Sequence, residues 1–148
     1  MTILLRYAAN YAFRIMVRQK LVTVGCVPEF IKSKKIATEE LKALQFVALS
    51  QFHCGPVAIK MADFLRGCGH PEFVVQNIAG HYIVKNKNTG LIFDIEAWKG
   101  VSQYDQLPIA TRFRLLGTLC GRSRLSPYIT KEVFRYSARR LLASWRTQ

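Results

Sequence analysis

From Ile3 to Val22 the polar residues Arg6, Asn10, Arg14 and Arg18 recur every fourth position in an otherwise mostly apolar run. That spacing predicts a helix with a narrow polar stripe. Such a helix is buried against the rest of its domain, or it lies on a partner or membrane surface with its arginines outward. The stretch Gly25 to Lys35 holds Pro28 and the basic run KSKK and reads as a loop. Thr38 is a good N-cap, and Glu39 and Glu40 follow where the helix dipole favours acid. A second helix is therefore expected from there to about Ser50.

The next run, QFHCGPVAIKMADFLRGCG, predicts a helix beginning at Cys54. Pro56 is tolerated in a first turn because its missing N–H would be unpaired there anyway. Val57, Ala58, Met61, Phe64 and Leu65 form a core-facing stripe, and Gly67 and Gly69 end it. Phe73 to Ile78 is rich in β-branched and aromatic residues and reads as a strand. In HYIVKNKNTGLIFDIEAW, Tyr82, Val84, Leu91 and Phe93 alternate with His81, Ile83, Ile92 and Asp94 around an NKNTG turn. This predicts a β-hairpin. If Lys85 pairs with Gly90 across a four-residue loop, His81 lies opposite Asp94 on one face, Cβ atoms ~5 Å apart. A slip of one residue would send the two side chains to opposite faces.

After Trp98 strand character fades. Leu107 to Cys120 and Pro127 to Trp145 read as two basic amphipathic helices separated by GRSRLS, with Ser126 capping the second and Pro127 at its first position. Ile129, Val133, Phe134, Leu141, Leu142 and Trp145 would cover one face of the last helix, with Arg135, Arg139 and Arg140 elsewhere. The expected fold is α+β: a helix carrying Cys54 packed on a small antiparallel sheet, with additional N- and C-terminal helices. One domain is expected, divided into a helical segment (1–50), a core (51–106) and basic C-terminal helices (107–148).

Charge changes this picture because of where it lies. The net charge is +13. Residues 1–42 carry eight basic and three acidic side chains, residues 43–108 five of each, and residues 109–148 nine basic and one acidic. The middle is neutral and the flanks hold all the excess. Basic flanks favour a polyanion such as nucleic acid, an anionic surface or an acidic protein, or else serve solubility alone. No RNA-recognition motif or helix-turn-helix pattern is present, so sequence-specific nucleic-acid binding is not expected.

Cys26, Cys54, Cys68 and Cys120 are widely spaced with no CxxC, and are expected as thiols in a reducing compartment. No run reaches the ~18 apolar residues of a membrane span, and the arginine-interrupted N-terminus lacks a signal-peptide pattern. The expected location is the cytoplasm, or a virion assembled there. Cys68 and His70 are close in sequence, and with Cys54 and His81 could be imagined as zinc ligands. Zinc frameworks usually show tighter pairs, so no metal and no cofactor is expected.

Cys54, His81 and Asp94 carry the candidate chemistry. A thiol is a poor nucleophile until deprotonated, and a helix N-terminus and a nearby imidazolium both favour the thiolate. His81 is the candidate base, later delivering the proton to the leaving group, and Asp94 the acid that fixes its tautomer. Backbone N–H groups at the helix start could stabilise an oxyanion, with Gln51 as a candidate side-chain donor. Glu96 and Asp105 are weaker substitutes for Asp94. Tyr82, Phe93 and Trp98 are expected as core and pocket wall, with Tyr82 and Trp98 on the substrate side. Cys26, Cys68 and Cys120 are read as structural, His53 as pointing away from Cys54, and His70 as a surface turn residue.

The strings HCGPVA, GHYIV and LIFDIEAW, in that order, resemble the core of transglutaminase-like and papain-like cysteine hydrolases. The resemblance covers roughly Gln51 to Trp98, about a third of the chain. It implies Cys54 as nucleophile, His81 as base and Asp94 as orienting acid. Where many transglutaminase-like members have tryptophan two residues after the histidine, this chain has Ile83. The expected activity is hydrolysis or acyl transfer at an amide or ester bond through a thioester, on a peptide or other amide substrate. The rival expectation is a catalytically silent structural or assembly protein, for example a phage virion component, that binds nucleic acid or a larger assembly through its basic flanks.

Overall fold

A computed structural model describes residues 1–19, 38–120 and 127–147, with the backbone alone described for 38, 117–120 and 127–130. Five helices and four strands follow in the order α1 (Thr2–Arg18), α2 (Thr38–Phe52), α3 (Cys54–Gly67), β1 (Phe73–Ile78), β2 (His81–Asn86), β3 (Ile92–Asp94), β4 (Ala97–Val101), α4 (Pro108–Cys120) and α5 (Pro127–Arg146). The fold is α+β, as the hydrophobic periodicities imply. The loop around Pro28, the whole KSKK run, Cys26 and the Ser126 cap lie outside the described residues, as does the Ile129 side chain.

The apolar stripes pack as their spacing requires. Leu5, Ala8, Ala9, Ala12 and Met16 form the buried face of α1, whose small residues let it lie close along α3. Val57, Ala58, Met61, Ala62 and Leu65 form the buried face of α3. These join Phe73, Val84, Phe93, Ile95 and Trp98 in one large core. Phe134, Ala138 and Leu141 of α5 extend it, and α5 packs on α2. Burial of the α1 face settles that helix as part of the domain.

The sheet is an antiparallel meander, β1-β2-β3-β4. β1 and β2 are joined by Ala79 and Gly80, both at positive φ (52° and 85°). Two left-handed residues make the tight turn that suits the twist of paired strands. The Asn77 side chain accepts the Gly80 N–H at 3.1 Å. β4 was not expected, since AWKGV holds a lysine and a glycine. Gly100 in it has φ +84°, and a Cβ there would stand 2.4 Å from the Phe93 ring. Only glycine leaves room for the Phe93 ring beside β4 at the irregular pairing between β3 and β4.

The central hairpin differs from expectation by one residue at each arm. Val84 pairs with Phe93 and Lys85 with Ile92, and the Asn86 N–H donates to the Leu91 carbonyl at 2.9 Å. The loop is therefore residues 87–90, four long as expected, with Lys85 not opposite Gly90. Asn86 explains the choice: its side-chain oxygen accepts the N–H groups of Asn88 and Thr89, anchoring the turn from the last strand position. Moving both arms by one keeps the parity of the pairing. His81 and Asp94 thus remain on one face, as diagonal rather than directly opposed neighbours.

That face packs away from the large core except at the strand ends, where His81 and Asp94 share a small cavity with the start of α3. Ile83 and Ile92 bury there with Leu107 and Ile109, and Ile78, Val101 and Tyr104 pack around them. The sheet is therefore covered on both sides, by α3 on one and by the segment leading into α4 on the other.

Candidate active site

Cys54 is the first residue of α3, and α2 ends only two residues earlier, at Phe52. His53, with φ −132° and ψ 34°, is the break between the two helices. The first bond of the new helix runs from the Val57 N–H to the His53 carbonyl at 3.1 Å. The N–H groups of Cys54 and Gly55 precede that bond, and Pro56 has none. Cys54 is half-buried, a thiol reachable from solvent and seated where the helix dipole favours negative charge.

His81 opens β2 and Asp94 closes β3, both buried. His81 Nε2 and Asp94 Oδ2 are 3.1 Å apart. A carboxylate only accepts, so Nε2–H is the donor, and in the neutral ring Nδ1 keeps the lone pair. Nδ1 is buried with no hydrogen-bond partner. The second oxygen of Asp94, Oδ1, accepts the Glu96 N–H at 2.9 Å, so the carboxylate is held from both ends.

Cys54, His81 and Asp94 line one small cavity of ≈ 10 Å³, together with Ser50, Tyr82 and the apolar Val57, Ala58, Met61 and Ile95. Its size is on the order of one water molecule. Tyr82 is 42% exposed, and its ring lies 3.5 Å from where a Cβ on Gly55 would stand, so it forms a wall beside the cysteine. Tyr104, in the 3₁₀ turn Tyr104–Gln106, approaches from the other side, with its ring centre 6.4 Å from that of His81. Its phenol is held above its ordinary value of 10.0 by burial and by the negative charges of Asp94 and Cys54. Tyr104 gave no sign in the sequence, because the turn that carries it is short.

The remaining sequence candidates are dispersed. Trp98 does not line this cavity: it is buried, stacks on Trp145 at 6.0 Å, and walls a separate cavity between α1, α2 and α5. Phe93 is core. Gln51 also stands outside the small cavity, and its Oε1 accepts the Arg112 Nε–H at 2.8 Å, leaving the NH2 as its donating end. Glu96 is no substitute for Asp94, being buried against Arg112 (Nη1 to Oε1 3.0 Å, Nη2 to Oε2 3.3 Å). Burial pushes the Glu96 carboxyl above its ordinary 4.5, against the pull of Arg112 and with the help of Asp94. Asp105 sits in the exposed turn beside Tyr104.

Arg112 is the element the sequence concealed. Fully buried, it ties Gln51, three residues before the thiol, to Glu96, two residues after the acid. The Phe134 ring of α5 lies 5.6 Å from its guanidinium carbon. One side chain from α4 thus fixes the two segments that present Cys54 and Asp94.

Cys54 and Cys68 are free thiols; Cys68 is exposed at the end of α3 rather than part of the interior. His53 Nε2 is buried and unpartnered. His70 is partly exposed and pairs with Glu72 at 3.1 Å. Among the described residues no group of three or more His, Cys, Asp or Glu side chains could hold a metal ion. Among the same residues no helix is long and apolar enough to cross a membrane. Compared with known proteins, the chain matches no family model, no curated protein and no solved structure.

Proposed function

We propose that the protein is a cysteine hydrolase or acyltransferase that cleaves an amide or ester through a thioester on Cys54. The observation that carries this reading is the buried His81–Asp94 pair, with the lone-pair nitrogen of the ring uncommitted and sharing a cavity with a thiol at a helix start. In the first half-reaction His81 Nδ1 accepts the Cys54 proton as the sulfur bonds to the substrate carbonyl carbon. The oxyanion that forms lies at the start of α3, where the Cys54 N–H and the helix dipole stabilise it. When the C–N or C–O bond breaks, the leaving group takes the proton from His81, and the acyl group remains on sulfur. Water, or an acceptor amine or alcohol, then displaces the thiol, with His81 removing its proton.

Asp94 keeps Nδ1 as the basic nitrogen by holding the hydrogen on Nε2, and stabilises the imidazolium once it forms. The cavity beside the sulfur is too small for a bulky side chain, so the substrate lies mainly across the outer surface by Tyr82. A peptide or another chain with an accessible carbonyl fits that description better than a compact metabolite.

The test is trapping of the acyl-enzyme. A p-nitrophenyl ester offered to the wild-type protein should yield a thioester on Cys54, seen by mass spectrometry, and none in Cys54→Ala. Acylation at other residues only, or unchanged in Cys54→Ala, would remove the assignment.

A further inference from the structure

A cavity of ≈ 290 Å³, separate from the Cys54 site, is formed where α1, α2 and α5 meet the edge of β4. Its walls are aromatic: Phe46, Trp98 and Trp145, the two indoles stacked 17° from parallel and Phe46 edge-on to Trp145 at 5.2 Å. Its polar lining is mostly cationic. Arg6 comes from α1, Lys42 from α2 and Arg146 from α5, against the single carboxylate of Glu39. Here the two basic flanks, remote in sequence, converge.

Among the described residues these cations are at most weakly paired. Arg146 reaches Glu39 at 3.5 Å, a pair more than 70% exposed on both sides and of little energetic weight. Arg6 and Lys42 make no ion pair among the described residues. The Lys42 ammonium instead lies 5.6 to 5.9 Å from the ring centres of Phe13, Phe46 and Trp145. Cation–π contact holds it in place while leaving its N–H donors unused. Like charges gathered round one concavity repel, and an anion placed among them relieves the repulsion.

We propose that this cavity binds an organic anion that combines a planar ring with a phosphate, of the nucleoside monophosphate class. Arg6 and Lys42 supply charge-assisted hydrogen bonds to the phosphate, and the tryptophan wall supplies an apolar face for the ring. The volume exceeds what a bare anion fills and lies at the lower end of cavities that take small ligands. This site does not depend on the chemistry assigned to Cys54.

The chain has only two tryptophans, and both wall this cavity, so its intrinsic fluorescence reports occupancy directly. Titration with adenosine monophosphate should change that fluorescence saturably. Adenosine and inorganic phosphate, each lacking half of the ligand, should bind about tenfold or more weakly. Arg6→Gln, at an exposed position that leaves the core intact, and Lys42→Met, which keeps the packing on the rings, should each weaken the nucleotide several-fold. Four results would overturn the proposal. They are no saturable change with the nucleotide, equal binding of inorganic phosphate, affinities unaltered in both variants, or an oligonucleotide that binds with no tryptophan response. The last would point to an extended basic surface in place of this cavity.

Discussion

Asp94 is bonded through both carboxylate oxygens, and the two bonds have different consequences. One fixes the His81 tautomer and the other fixes the backbone at Glu96. Asp94→Ala should therefore leave two buried donors unpaired, at a cost of about 2–4 kcal/mol in urea denaturation. Acylation of Cys54 should fall with it, while a loss below about 0.5 kcal/mol would show that neither bond matters. The residues of this site were legible because their chemistry is announced locally: a cysteine before Gly-Pro at a helix start, a histidine opening one strand and an aspartate ending the next. Arg112 and Tyr104 were not. An arginine in a basic amphipathic helix looks like surface until the fold buries it, and a tyrosine in a three-residue turn has no periodicity to betray its direction.

At the scale of elements, the hairpin shows how a different register can leave the same two side chains on one face. Parity, which decides the face, was readable from the alternation of Tyr82 to Lys85 and Leu91 to Asp94. The exact pairing was not, because NKNTG offers two anchors and the Asn86 side chain decides between them only through hydrogen bonds formed in the folded turn. β4 was hidden by its composition, and its irregular pairing makes a sharp test. Gly100→Ala forces a Cβ into Phe93 at a backbone angle that L residues rarely adopt, and should destabilise by about 2–3 kcal/mol. A thermal midpoint equal to wild type would contradict the geometry. The clamp made by Arg112 belongs to this scale too. Arg112→Leu should cost about 3 kcal/mol by stranding Glu96, whereas Arg112→Leu combined with Glu96→Leu should recover most of the loss. A double variant no more stable than the single would mean that the guanidinium acts through packing on Phe134 alone.

Over the whole chain, charge is unevenly distributed: a neutral central segment carries the candidate chemistry and the two flanking segments hold the basic excess. Glu96, a strongly buried acid outside the His81 pair, gives stability a distinct pH dependence. Burial raises its folded-state value above the ordinary 4.5, so the native chain holds this proton over a range in which the unfolded chain has lost it. More protons bound in the native state means that stability falls as pH rises through that range. Relative to Glu96→Gln, the wild-type protein should lose stability as pH is raised above about 4.5, measured by urea denaturation across a pH series. Parallel curves would contradict the assignment.

If His81 and Asp94 make Cys54 a reactive nucleophile, the chain carries its own control. Cys68 is the more exposed thiol, Cys54 the half-buried one. Alkylation by iodoacetamide near neutral pH, read residue by residue by mass spectrometry, tests that role most directly. Cys54 should react faster than Cys68 in the wild-type protein and slower than Cys68 in His81→Ala. Rates that follow exposure alone, with Cys68 ahead in both proteins, would contradict it.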